Sequence, residues 1–425
     1  MQMTFQSSYG RLRHSRWYER ILLSFRTNLV LGFILTTIVP AFWEWGRDWN
    51  ALGAVTTIVA SGIAYLVAIS AVHAISRFPG TSAFFYILPF MTVAYLLMGI
   101  LLAACQLAFS PEPMIVSYVI SLVAVYTGYL IGNRYRVRKI AIVPRGRVED
   151  FCKQHVVDWR WLREPDLKDL RVNGIVADLK SEMTPEWQRF LADCMIRRIP
   201  VHDAQRFHEE LTGKVGLDHI YQNPYGLLVT NNNYEIFKRA VDFFVALLML
   251  PVILPVIGIA AVLIKRDDPG PIFFRQTRSG FQGREFDVYK LRSMYVNPGD
   301  QTPTADGEDP RITRIGKKLR KYRIDELPQL FNVLKGDMSL IGPRPETPSL
   351  TAAYERDIPF FRYRHVVRPG ITGWAQIEQG YVSEVEGSKR KLEYDFYYIR
   401  NFSFWIDILI LIRTIKTVFT GSGAR

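Results

Sequence analysis

Cysteine is scarce in this 425-residue chain: there are three, Cys105, Cys152 and Cys194. They are too few and too widely spaced for a disulfide framework or a zinc site, and read as reduced or buried thiols in a cytoplasmic setting. No zinc-finger, homeodomain or RNA-recognition pattern is present, so nucleic acid is a poor match for the net charge of +13. The G-x-G-x-x-G run that lets phosphates approach a helix N-terminus is missing; Pro144-Arg-Gly-Arg147 lacks it. The D-x-D metal loop of a sugar-nucleotide glycosyltransferase is also missing, with Asp306-Gly-Glu308 a weak substitute. A cleaved signal peptide is not expected, because Arg11, Arg13, Arg16 and Arg20 spread over too long a stretch and too many apolar runs follow.

What the chain has is apolar sequence in blocks. Hydrophobic residues make up 49% beside 22% charged, which a water-soluble core of this length does not need. Four runs, at roughly 27–45, 51–75, 83–109 and 113–132, each approach the ~20 residues that a spanning helix requires. They are nearly charge-free and bounded by charges or Pro, which disfavours buried helices of a soluble core. The N-terminal arm, the loop at Arg77 and the tail Asn133-Arg-Tyr-Arg-Val-Arg-Lys139 are basic, whereas the other loops hold Glu44, Asp48 and Glu112 with Arg47 alone. Positive charge stays inside, so both ends of this four-helix unit are expected in the cytoplasm. The remaining excess of cations suits anionic headgroups or phosphorylated substrates.

Residues 138–226 change character. Strands are predicted at Lys139–Val143, Val172–Asp178 and Ile199–Val201, and helices at Val148–His155 and Thr184–Met195. That alternation predicts a small α/β domain with a parallel sheet, structural or regulatory in role. A fifth apolar run, Phe243–Ile264, has Lys238 and Arg239 before it and Lys265 and Arg266 after it. Both flanks want the same side of the membrane. Pro251 and Pro255 lie near its middle, where a missing N–H and a ring clash bend a helix. A helix that enters, bends and returns satisfies both constraints; a kinked spanning helix is the alternative.

The chemistry gathers at Asp325-Glu326-Leu-Pro-Gln-Leu-Phe-Asn-Val-Leu-Lys-Gly-Asp-Met-Ser-Leu-Ile-Gly-Pro-Arg-Pro345. Two acids sit among Lys317, Lys318, Arg320, Lys321, Arg323, Lys335 and Arg344. A carboxylate pair ringed by cations suits a divalent metal together with a phosphate, and carboxylates are also covalent nucleophiles towards phosphorus. Lys290 and Arg292 alternate along a short predicted strand and should share a face. Arg275, Gln276 and Arg278 offer donors, residues 297–310 form a polar loop suited to a lid, and the prolines beside Arg344 stiffen its backbone. The end of the chain, Arg400–Lys416, alternates apolar and basic residues in the manner of an interfacial helix.

This signature resembles that of the bacterial sugar transferases, the polyprenyl-phosphate phosphoglycosyl transferases that begin exopolysaccharide and O-antigen synthesis. Lys238-Arg-Ala-Val-Asp-Phe243, Tyr289-Lys-Leu-Arg-Ser-Met294 and Val367-Arg-Pro-Gly-Ile-Thr-Gly-Trp-Ala-Gln376 agree in order. The likeness covers roughly residues 235–425; the first half is similar only in layout to the larger, several-helix members. The resemblance implies an α/β membrane protein. A four-helix transmembrane bundle (1–136), a small Rossmann-like cytoplasmic domain (137–230) and an α-rich catalytic domain (231–425) would follow one another. The catalytic domain would sit on a re-entrant helix near 238–266. In the family a Ser-Pro pair marks the break; here it is Leu254-Pro255.

The implied activity is transfer of a hexose 1-phosphate from a UDP-hexose to undecaprenyl phosphate at the bacterial inner membrane, with UMP released. Asp325 would be the nucleophile. Asp325 and Glu326 would hold Mg²⁺, and Lys290, Arg292, Arg344, Arg368, Arg278 and Gln276 would meet the substrate and its phosphates. Inner-membrane lipids are implied partners, and the size class is compatible with a homodimer. The contrasting reading, an inactive membrane scaffold or regulator of polysaccharide assembly, calls for a damaged dyad or a lost Arg-Pro signature, and neither is damaged here.

Overall fold

In the computed structural model, residues 25–46, 53–135, 139–146, 148, 157–167, 170, 172–217, 232–296, 309–358, 360–379 and 385–420 are described. The four N-terminal runs are helices: α1 (Phe25–Trp45), α2 (Ala54–Ile75), α3 (Phe84–Ala104) and α4 (Pro111–Tyr135). All four are long and apolar enough to cross a membrane. Large apolar side chains such as Val59, Leu97 and Ile100 point outward, as on helices solvated by lipid. Inside, hydroxyls satisfy one another. The Tyr95 hydroxyl lies 2.9 and 2.7 Å from the Ser117 and Ser121 hydroxyls, and Ser117 donates to the Thr36 carbonyl at 2.6 Å. Where no water reaches, such bonds join helices.

The chain clusters into two compact units, Met1–Thr212 and Gly213–Arg425. The first also holds a four-stranded parallel sheet in the order β2-β1-β3-β4. Its strands are β1 (Lys139–Ile142), β2 (Asp158–Trp161), β3 (Gly174–Ala177) and β4 (Val201–Asp203), with helices α5 (Pro185–Ile196) and α6 (Ala204–Thr212). β1 and β3 carry the apolar runs that predict them and are buried. The edge strand β2 was not expected: Asp158-Trp-Arg-Trp161 is only half-buried and shows no apolar run to read. α6 was not expected either, and the predicted helix Val148–His155 lies almost wholly outside the described residues.

The second unit begins its described main body with α7 (Asn232–Asp267), 36 residues long with Pro251 and Pro255 inside it. The helix runs unbroken through both prolines, although they leave the carbonyls of Leu247 and Pro251 without their usual donors. Both prolines lie on the exposed side. The opposite side is a continuous stripe: Lys238, Asp242, Ala246, Ile253, Ile257, Ala260 and Ile264 are buried, at the three- and four-residue spacing of one helical face. Its apolar part shares one core with Val288, Leu291, Leu319, Leu330, Val333 and Met338.

After α7 come an antiparallel pair, β5 (Phe273–Ser279) and β6 (Glu285–Leu291), then α8 (Arg314–Lys321), a 3-10 turn at Ile324–Glu326 and α9 (Gln329–Lys335). The short parallel pair β7 (Ser339–Ile341) and β8 (Gly370–Thr372) brackets α10 (Pro348–Asp357) and a second 3-10 turn, Phe361–Val366. α11 (Trp374–Glu378), α12 (Val385–Arg400) and α13 (Phe404–Thr420) follow. Gly342, Gly370 and Gly373 stack backbone on backbone; a Cβ on any of them would overlap the neighbouring main chain. That close approach sets the Pro343-Arg-Pro345 turn against the Arg368-Pro-Gly370 turn.

Candidate active site

The acidic pair is presented by a strained turn. Arg323, just before the 3-10 turn, has φ 53° and ψ 25°, a left-handed conformation that non-glycine residues adopt at a cost and that gathers at functional sites. The chain turns inward there, and Asp325 and Glu326 become 9% and 6% exposed. Strand β6 supplies Lys290 beside them. Its register is fixed from α9, where the wholly buried Asn332 donates to the Asp287 carbonyl at 2.7 Å and accepts from the Tyr289 N–H at 3.1 Å. The proline-flanked turn after β7 supplies Arg344.

The two acids are neighbours in sequence and opposites in surroundings. Glu326 Oε1 accepts from Arg344 at 2.7 Å and Lys290 at 3.2 Å, and its Oε2 from Arg323 at 3.2 Å. Burial alone would raise its pKa; Arg344, Lys290 and Arg323 outweigh burial and hold it well below the usual carboxylate range. Asp325 makes no ion pair or hydrogen bond of its side chain among the described residues. Burial, then the charge of Glu326, push its pKa up to about 6, against the pull of Lys290, Arg320 and Arg344. One acid is therefore locked as an anion, and its neighbour is a poised carboxyl with free oxygens. Lys290 itself is lowered, by burial first and Arg344 second, with Glu326 and Asp325 opposing.

Of the cations expected at the pair, Lys290 and Arg344 are there. Arg292 is not: β6 ends at Leu291, and the Arg292 guanidinium turns to the carboxylate of Asp268 at 2.7 Å. Arg368 is paired with Glu235 at 2.6 Å and lies 4.7 Å over the Phe281 ring. Arg278 donates to the Pro345 carbonyl at 3.1 Å, at the back of the Arg344 turn, and to Gln276 at 2.6 Å, so Gln276 meets that turn only through Arg278. Sequence reasoning counted Arg320 and Arg323 among the cations around the pair but gave neither a role in the site. Their signal was their placement two and five residues before Asp325. Most of the expected lid, residues 297–308, lies outside the described residues. His365 is buried and its pKa is lowered to about 4, by burial first and Arg364 next, which leaves it neutral. No group of three or more His, Cys, Asp or Glu that could hold a metal occurs among the described residues.

A poised carboxylate facing three cations can attack an electrophilic phosphorus while the cations take up the negative charge of the phosphates. Known proteins that resemble this chain in sequence are sugar transferases. The family described as "Bacterial sugar transferase" matches residues 233–421. The UDP-N-acetylgalactosamine-undecaprenyl-phosphate N-acetylgalactosaminephosphotransferase of Aeromonas hydrophila is 43% identical over 426 residues, covering 98% of this chain and 100% of that one. The UDP-glucose:undecaprenyl-phosphate glucose-1-phosphate transferase of Escherichia coli K12 is 43% identical over 193 residues, 45% of this chain and 42% of that one. The undecaprenyl-phosphate glucose phosphotransferase of Komagataeibacter xylinus is 35% identical over 272 residues, 62% of this chain and 46% of that one.

Proposed function

The chain belongs to the bacterial sugar transferase family, and on that premise we propose that it transfers a hexose 1-phosphate from a UDP-sugar to undecaprenyl phosphate, releasing UMP. The observation that carries the reading is the contrast at the acidic pair: a free, buried Asp325 carboxylate beside a Glu326 tied to three cations. In the first half-reaction an Asp325 oxygen attacks the sugar-bearing phosphorus of the diphosphate. The bond from that phosphorus to the bridging oxygen breaks, and UMP leaves with the electron pair. A phosphosugar ester remains on Asp325. In the second, an oxygen of undecaprenyl phosphate attacks the same phosphorus, Asp325 leaves as carboxylate, and undecaprenyl-diphosphate-sugar is formed. Lys290, Arg320 and Arg344 hold the transferred phosphate and its developing charge, and Glu326 keeps Lys290 and Arg344 in place.

Mg²⁺ fits this donor set. It is commonly held by one or two carboxylates together with substrate phosphates; Asp325 has free oxygens, and Glu326 Oε2 has one partner, the partly exposed Arg323. When bound it would neutralise the diphosphate. The full-length similarity to an enzyme named for UDP-N-acetylgalactosamine makes that sugar nucleotide the first donor to test and UDP-glucose the second.

We also propose that α7 is re-entrant, with the catalytic unit on the cytoplasmic side of the inner membrane. Support comes from both ends of α7 being fastened to the same body. Near its start, Arg239 donates to the carbonyls of Val333 and Leu334, and Lys238 pairs with Asp407 at 2.6 Å. At its end, Asp267 accepts from the Ile315 N–H at 3.0 Å and Asp268 pairs with Arg292. A straight crossing would pull those anchors to opposite faces. Phe237 and Phe404 at one end and Phe273 and Phe274 at the other are exposed, apolar rings that contact with lipid would cover.

Purified protein given UDP-sugar and Mg²⁺ without lipid should release one equivalent of UMP in a burst and retain the sugar phosphate. EDTA should stop it. No UMP without lipid, together with intersecting kinetic lines in an active preparation, would exclude the ester and leave direct transfer.

A further inference from the structure

We propose that Arg364 and Asp395 are positioning residues for this reaction: a buried clamp that fixes the main chain at Arg344 and so holds its guanidinium on Glu326. The inference rests on the function proposed above. Arg364 stands on the second 3-10 turn and Asp395 on α12, and their side chains are 3% and 2% exposed. A single terminal nitrogen, Nη2 of Arg364, donates to Asp395 Oδ2 at 2.8 Å and to the carbonyl of Arg344 at 2.9 Å. The same guanidinium lies 3.7 Å from Glu346, which also accepts from Lys391, one turn before Asp395 on α12. On the other side Arg278 donates to the Pro345 carbonyl at 3.1 Å, and the Ser279 N–H to the Glu346 carbonyl at 2.9 Å. The turn is thus held at three successive residues, 344, 345 and 346.

The clamp grips a segment that has little freedom of its own. Pro343 and Pro345 have fixed φ, so a shift of the Arg344 backbone must carry the whole turn with it. From that backbone the side chain reaches 2.7 Å to Glu326. An apolar pair of the same volume would fill the space of Arg364 and Asp395 at equal or lower cost in stability. It would have no donor for the Arg344 carbonyl. The buried charges are explained by what they hold.

The test is a double-mutant cycle with two readouts: the single-turnover rate of UMP release from UDP-sugar, and the affinity for UDP, which carries the diphosphate and needs no chemistry. Both are normalised to folded protein by thermal melting. Asp395→Asn keeps the shape and frees the clamp. Arg364→Lys keeps a buried cation for Asp395, but an ammonium does not reproduce the guanidinium fork. Each should lower the single-turnover rate about 10- to 100-fold, the cost of a small misplacement of a reacting group. In an Arg344→Lys background the same substitutions should cost less than about twofold, because the guanidinium they position is gone.

Equal losses in both backgrounds would overturn the clamp, since a general packing role multiplies independently of Arg344. So would an unchanged rate in either single variant. If Asp395→Asn does not fold, Arg364→Lys, which retains the charge pair, decides the question alone. A parent protein that binds UDP but releases no UMP would sink the proposed transfer, and the UDP-affinity cycle would still decide the clamp.

Discussion

The two units bury different kinds of polar atom. In the first, the buried polar groups among the described residues are hydroxyls such as Thr36, Thr57, Ser117 and Ser121, with Glu209 the single charge. In the second they include Lys238, Asp242, Arg292, Glu346, Arg364 and Asp407 besides the acidic pair. Hydroxyls join helices and cost little to bury, because each finds a partner locally. A buried charge without a partner costs several kcal/mol, so it persists where something else requires it. The contrast locates function: the unit that tolerates charge inside it is the unit equipped for chemistry. Within that unit the same contrast recurs at residue scale, where Glu326 is paired three times over and Asp325 is left unpaired.

The largest effect should come from Asp325→Asn. It keeps the shape and removes the attacking charge, so UMP release should fall by about 10⁴-fold or more. The same variant should melt higher than its parent. The folded pKa, about 6, lies above the ordinary 3.8. Stability linked to this carboxyl is therefore complete below about pH 4 and is lost as pH rises through about 6. In metal-free buffer at pH 8 the variant should gain roughly 1–3 kcal/mol, and the gain should shrink towards pH 4. A variant less stable than its parent at pH 8 would mean that Asp325 is paired after all.

Glu326→Gln should behave in the opposite sense on stability. It leaves Arg344, Lys290 and Arg323 around a neutral amide, costing about 3–5 kcal/mol, with activity down about 10²–10⁴-fold. Equal thermal shifts for the two variants would erase the distinction drawn between the acids.

Asp407→Asn tests the buried charges away from the pair. Its carboxylate accepts from Lys238 and Tyr234, both at 2.6 Å, and from Tyr398 at 2.9 Å. Leaving Lys238 with only the more distant Asp242 carboxylate, at 4.0 Å, should cost about 3 kcal/mol in chemical denaturation, with UMP release per folded molecule lowered far less than in Glu326→Gln. The smallest change belongs to the first unit. Tyr95→Phe removes two hydroxyl contacts and should cost about 1 kcal/mol or less, read as a small loss of detergent stability with an unchanged burst. A large loss of burst there would break the division between the units.

Much of the site was legible because it is written contiguously. Asp325-Glu326 and Pro343-Arg-Pro345 are short strings, and the structure joins them through a 2.7 Å ion pair between Arg344 and Glu326. What could not be read is which cation meets which acid. Arg292 and Lys290 alternate on one strand, yet the strand ends between them and Asp268 captures Arg292. Glu235 captures Arg368 from more than a hundred residues away. Such pairings depend on tertiary distance, which neither residue type nor spacing encodes. The same holds for the fold. Apolar runs find α1 to α4, β1 and β3, but β2 lies at an edge with half-buried side chains and carries no such run. The prolines of α7 read as a break, while the backbone continues through them with both rings on the exposed side.

The anchors of α7 also bear on the order in which the chain is made. Arg239 is held by the Val333 carbonyl, 94 residues later, and Lys238 by Asp407, 169 residues later. A ribosome finishes the apolar helix long before either partner exists. On the re-entrant topology proposed above, nothing folded keeps both ends of the helix together during that interval, and the nascent segment would rely on its own flanking cations, Lys238 and Arg239 before it and Lys265 and Arg266 after it, to stay on the side where the rest of the chain will emerge. Those four charges would then act as a provisional latch during synthesis, until α13 arrives and Asp407 closes on Lys238.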